Sequence, residues 1–158
     1  CAYGEKHEMT IAHRIAAGGI VIRDGRVLLV RYRDEKGTYL VAPGGAIEEC
    51  ESLATAAERE ISEETNVKCT ARWPVMIENL RASRYQMVKV WYLCDYVDGA
   101  ASCTAPAKEE GIIEVGWYGD SELEYETVYP EIIKTLKIAA ISNLKSEIID
   151  PGVRRARF

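Results

Sequence analysis

Glu60, Glu63 and Glu64 stand at positions i, i+3 and i+4 of one segment, GAIEECESLATAAEREISEETNV, residues 45–67. On a helix, at about 100° per residue, this spacing places three carboxylates on one face. Like charges so placed repel, at some tenths of a kcal/mol per pair on a bare helix. A hard divalent cation reverses that sign, and Mg²⁺ is the usual one beside phosphates. The competing explanation is a solvated acidic face on a surface helix. That explanation leaves other residues unaccounted for. Ala54, Ala57 and Ile61 already supply a buried face, Arg59 lies four residues before Glu63, and Glu51 and Gly45 stand upstream.

Taken together, Gly45, Glu51, Arg59, Glu60, Ile61, Glu63, Glu64 and Val67 match, at every spacing, the pattern G-x5-E-x7-R-E-U-x-E-E-x-G-U, where U is a bulky aliphatic residue. The segment resembles the signature box of the Nudix (MutT-like) hydrolases. It departs at one position, Asn66 standing where the family has glycine. Asparagine is the side chain that most readily accepts the left-handed conformation expected there, so Asn66→Gly is expected to be neutral or slightly stabilising.

The resemblance implies Mg²⁺-dependent hydrolysis of a diphosphate linkage in a nucleoside diphosphate derivative, with Mn²⁺ as a possible substitute. It implies Glu60, Glu63, Glu64 and the Gly44 carbonyl as metal ligands, and Arg59 and Glu51 as partners that hold the ligating glutamates. Family members take the general base from the box or from a distal loop. Glu109, Glu110 and Glu114 are candidates there, and Glu110 is favoured. A non-catalytic nucleotide-binding or regulatory module on the same fold is the alternative, although intact glutamates favour the enzyme.

These residues need a scaffold. Arg14–Ile22 and Val27–Arg33 form β segments about an Asp24-Gly25-Arg26 turn, and Tyr39–Ala42 is a short apolar strand stopped by Pro43-Gly44-Gly45. Leu53–Thr65 is the helix, with Ser52 as its N-cap. Val67–Ile77, Gln86–Val97 and Ile112–Tyr118 are strands, residues 99–108 a loop, and Pro130 opens a second helix extending to about Ile148. The pattern predicts one α/β domain, a Nudix-type α/β/α sandwich with a mixed sheet between helices, over residues 1–158 with loose ends at 1–10 and 150–158. Arg31 and Arg33 alternate with Tyr32 and so share a strand face, a candidate phosphate-binding face. Arg84 and Tyr85, beside Arg81 in the connection after the box, are further substrate-binding candidates. Tyr85 and Trp117 are candidates to stack on a base.

Composition excludes several alternatives. A net charge of −5 over 158 residues argues against a nucleic-acid polymer as partner, because such domains present a basic face to phosphates. The ligand expected instead is a small nucleotide-like molecule. The longest apolar run, Ile15–Ile22, is far short of the roughly 20 residues of a membrane span. The only histidines, His7 and His13, lie near the N-terminus, which disfavours a Ser-His-Asp or Cys-His site. Five cysteines with no C-x-x-C pair suggest reduced thiols and a cytoplasmic setting. A homodimer remains compatible with these features.

Overall fold

The computed structural model describes residues 11–82 and 85–157. Asp24 and Gly25 take positive φ, 51° and 71°, which matches a two-residue turn to the right-handed twist of its strands. This turn joins β1 (Ala12–Arg23) to β2 (Arg26–Asp34). The two strands stay paired only at Ile22–Val27 and Arg23–Arg26. Farther back, the same edge of β1 is taken by β4 (Gly44–Ala46), with Ala17 opposite Gly45 and Gly18 opposite Gly44. The sheet therefore splits where the box begins.

The remaining strands are β3 (Gly37–Val41), β5 (Lys68–Arg81), β6 (Tyr85–Asp98), β7 (Glu114–Tyr118) and β8 (Val128–Tyr129). Their order is β5-β6-β1-β2-β3-β8, with β7 also paired to β2. The β1/β6 and β3/β8 pairs are parallel and the others antiparallel, so the sheet is mixed, as expected. One face packs on α1 (Leu53–Thr65) through Val21, Leu28, Ala57 and Ile61. The other packs on α3 (Asp120–Leu123) and α4 (Ile132–Ser142) through Ile20, Leu29, Leu40, Leu123 and Ile133. A short α2 (Ala105–Glu109) seats Ala107 against Val30 and Ile112. Among the described residues no helix is long and apolar enough to cross a membrane.

The first helix has the predicted bounds. The Ser52 hydroxyl accepts from the Thr55 N–H at 3.1 Å, closing the N-terminal turn. At the other end Asn66 is left-handed (φ 60°, ψ 14°) and returns its N–H to the Ser62 carbonyl. Its side-chain amide also donates to the Ala100 carbonyl at 3.1 Å.

The second helix is a correction. Instead of continuing to about Ile148 it stops at Ser142 and is interrupted at Lys137, whose φ is 65°. The Ile138 N–H freed by that break donates to Asp120 Oδ1 at 3.2 Å, so a side chain 18 residues away caps the second half. Past the helix the chain turns back over the sheet. Trp73 Nε1 donates to the Leu144 carbonyl at 3.1 Å and the Tyr92 hydroxyl donates to Asp150. The C-terminal end expected to be loose from residue 150 is thus attached at that residue, while 151–157 carry no regular structure. The loose N-terminal end expected at 1–10 lies outside the described residues. The loop expected at 99–108 contains the start of α2.

Candidate active site

Gly44 and Gly45 bring backbone and carboxylate together. Gly44 has φ of +151°, and a Cβ there would stand 2.3 Å from the Gly18 Cα. A Cβ on Gly45 would stand 2.6 Å from the Glu60 carboxyl carbon. Only glycine permits β4 to lie so near both β1 and the helix. The Gly44 N–H donates to Glu64 Oε2 at 3.1 Å, and its carbonyl accepts from Lys89 Nζ at 3.0 Å.

Glu60 and Glu64 are nevertheless poorly solvated. They are 8% and 3% exposed. Burial, then repulsion from Glu60, pushes the Glu64 carboxyl up to about 8 in spite of Lys89 and the Gly44 N–H. Burial also raises Glu60, opposed by its bond to Arg59. A site that holds two carboxylates out of water at this cost favours whatever cation enters it.

Arg59 ties the cluster to the start of the box. It donates to both oxygens of Glu51 at 2.9 and 3.0 Å, to Glu60 Oε1 at 2.8 Å, to Glu63 Oε2 at 3.0 Å and to the Ala46 carbonyl at 3.0 Å. These bonds hold the Glu51 carboxyl below its ordinary range. Glu51 in turn accepts from the Glu48 N–H at 3.0 Å.

Glu110 is the fourth carboxylate. The Thr104 hydroxyl donates to the Glu63 carbonyl at the end of α1 and accepts from the Ala107 N–H at the start of α2. The loop is thereby fastened, with Glu110 as the C-cap of α2. The charge of Glu110 helps to raise both Glu60 and Glu64. Glu114 turns elsewhere, paired to Arg31 and accepting from the Tyr118 hydroxyl.

The Arg31 guanidinium is engaged within the fold. Arg31 donates to Glu114 at 2.8 Å, to both oxygens of Glu126 at 3.1 Å and to Thr38 at 3.3 Å. Its guanidinium is thus committed to holding β2, β3, β7 and the segment before β8 together. Arg33, by strand alternation, shares that face and is exposed. The residue between them, Tyr32, faces the site: its hydroxyl is raised by burial and then by the charges of Glu64 and Glu110. Tyr85 is covered by the Arg14 guanidinium, 4.5 Å from its ring centre. Trp117 packs edge-on to Tyr96 at 6.1 Å. Arg84 lies outside the described residues.

Sequence reasoning missed Lys89. It is 7% exposed, 4.3 Å from the centre of the Trp91 ring, and lowered by burial against the pull of Glu64 and Glu60. The signal was a single cation in the otherwise uncharged run Met87–Cys94.

The site is therefore an arrangement of hard oxygen donors, with an arginine and a lysine balancing the charge. This donor set fits a divalent cation rather than a soft metal. Among the described residues no three acidic, histidine or cysteine side chains form a closed ion cage as they stand.

Comparison with known proteins agrees with this fold. The NUDIX domain family model matches residues 12–137. The chain is 23% identical over 134 residues to the ADP-ribose pyrophosphatase of Methanocaldococcus jannaschii, covering 82% of this chain and 79% of that protein. The MutT NUDIX hydrolase of Burkholderia pseudomallei superposes with a TM-score of 0.65 at 22% identity, over 82% of this chain and 98% of that one. A bifunctional NMN adenylyltransferase/ADP ribose pyrophosphatase of Francisella tularensis, complexed with AMP and a Mn ion, superposes with a TM-score of 0.64 at 18% identity, over 84% of this chain and 42% of that one. The chain belongs to the NUDIX domain family.

Proposed function

We propose that this chain hydrolyses a diphosphate linkage in a nucleoside diphosphate derivative with the help of Mg²⁺, or of Mn²⁺ in its place. One observation carries the reading: Glu60 and Glu64 are both buried one turn apart on α1, and the charge of Glu110 reaches them. Glu60, Glu63, Glu64 and the Gly44 carbonyl would hold the cation. When bound it would neutralise the diphosphate, position water and lower the pKa of that water.

The chain's own side chains do the remainder. Arg59 fixes Glu60 and Glu63 through bonds of 2.8 and 3.0 Å, and Glu51 fixes Arg59, which makes both positioning residues. Glu110, exposed at the end of α2, is the proposed general base that accepts the proton of the attacking water. Lys89 keeps the Gly44 carbonyl oriented. The ADP-ribose pyrophosphatase relative makes ADP-ribose the first substrate to try. The four described cysteines are free thiols, which supports a reducing, cytoplasmic setting.

The test is Mg²⁺-dependent turnover of a panel of nucleoside triphosphates, ADP-ribose, dinucleoside polyphosphates and nucleotide sugars. Turnover of at least one, abolished by chelator, is expected. Zero turnover of every compound would falsify the assignment and favour a binding module.

A further inference from the structure

The Tyr39 ring is held on two sides. It stacks on Tyr32 with centres 5.7 Å apart and planes 18° from parallel, and meets Tyr129 edge-on at 6.2 Å. Tyr39 is not filling the core, because its strand neighbour Leu40 does that from the opposite face at 0% exposure. Tyr39 lines a cavity of about 740 Å³ that Lys36, Thr38, Arg81, Thr127 and Tyr129 also line. Small-molecule sites run from about 300 to 1,000 Å³ and combine aromatic walls with a few polar groups. Asp34 adds a carboxylate to the same wall, bonded through Oδ1 to the Lys36 N–H at 2.8 Å.

We propose that this cavity receives the aromatic base of the substrate, stacked on Tyr39, while the diphosphate runs past Tyr32 toward the α1 carboxylates. The inference rests on the reading of the chain as a nucleotide diphosphohydrolase and names the residue that selects the nucleoside half. Three features carry it. The ring is immobilised by its neighbours, so stacking costs little further side-chain freedom. Tyr32 touches Tyr39 and also lies within the field of Glu64, Glu110 and Glu60, so the stack joins the cavity to the carboxylates. Tyr85, by contrast, lies under the Arg14 guanidinium, and neither Tyr85 nor Trp117 lines this cavity. Arg81 and Lys36 on the wall provide positive charge for a phosphorylated ligand.

The experiment measures binding of AMP, GMP and UMP against ribose 5-phosphate by calorimetry, with chelator present, to wild type, Tyr39→Ala and Tyr39→Phe. Base stacking of ordinary strength predicts that at least one nucleotide binds about tenfold more tightly than ribose 5-phosphate. Tyr39→Ala should remove that preference and Tyr39→Phe should keep it. In wild type, nuclear Overhauser contacts between the base and the Tyr39 ring protons provide a readout that does not depend on a variant folding. No preference for any nucleotide, or no base contact to Tyr39, overturns the proposal. Failure of the function itself reads differently. A chain that binds AMP on Tyr39 yet turns over no substrate sinks the hydrolase reading alone. A chain that turns over ADP-ribose with kcat/KM unchanged in Tyr39→Ala sinks the stacking proposal alone.

Discussion

Arg59 grips Glu51 by both carboxylate oxygens, at 2.9 and 3.0 Å, across the turn that opens α1. A planar guanidinium makes this two-point contact and still reaches Glu60 and Glu63, which an ammonium cannot match. Arg59→Lys is therefore expected to lower kcat by about 10–100-fold, the usual effect of losing a partner that orients ligating groups. Steady-state kinetics with a Mg²⁺ titration would check it. Wild-type kcat at saturating Mg²⁺ would show that Arg59 holds the fold and nothing more.

Glu64→Gln is expected to lower kcat by orders of magnitude without unfolding the chain. Its amide keeps an oxygen for the Gly44 N–H but carries no charge for a cation. Kinetics and circular dichroism on the same preparation test both halves, and wild-type turnover would remove Glu64 from the site.

Stability of the metal-free chain should depend on pH through the same residue. The folded Glu64 carboxyl titrates near 8 against an ordinary 4.5, so the native state keeps a proton that the unfolded chain has lost. This contribution is full below about pH 4.5 and disappears as pH rises to about 8, amounting to a few kcal/mol. Glu60, raised chiefly by burial, acts in the same direction. Lys89, lowered from 10.5, acts in the opposite sense toward the alkaline side. With chelator present, Tm should fall between pH 6 and 8, more steeply in wild type than in Glu64→Gln. Added Mg²⁺ should raise Tm more at pH 8 than at pH 6, because the cation binds the ionised form. Parallel pH profiles for the two proteins would contradict the assignment.

Arg31→Met should damage stability rather than substrate binding. Arg31 is 14% exposed in side-chain terms and bridges Glu114 and Glu126. Removing it leaves Glu126 partly buried without its partner, at a cost of about 2–3 kcal/mol. Denaturant unfolding measures that loss, and KM on the best substrate should stay within about twofold, well under the tenfold that 1.4 kcal/mol represents. A large rise in KM with unchanged stability would restore Arg31 to the phosphate site.

Asn66→Gly is expected to cost about 1 kcal/mol, because it deletes the bond to the Ala100 carbonyl and loosens the unfolded chain. The left-handed backbone alone predicts a neutral or slightly stabilising change. Chemical denaturation of Asn66→Gly beside Asn66→Asp separates the two terms, and a neutral result in both would show that the amide contributes nothing.

What the sequence by itself determined is local. The bounds of α1, the Ser52 cap, the left-handed Asn66 and the Asp24-Gly25 turn all depend on residues within a few positions of each other, so spacing and side-chain type suffice. The convergence of Glu60, Glu63 and Glu64 on one side of α1 belongs to the same category.

Tertiary structure alone decided what depends on residues far apart in the chain. Alternation put Arg31 and Arg33 on one face, but only the pairing of β2 with β7 and β3 shows that the other face, carrying Tyr32, meets the carboxylates. Lys89 acquires its role because β6 runs beside β1, across from β4. The Ile138 N–H freed by the break at Lys137 is taken up by Asp120, 18 residues earlier. Periodicity carries no information about such meetings, because two segments come together through burial of the whole sheet rather than through any spacing along either one.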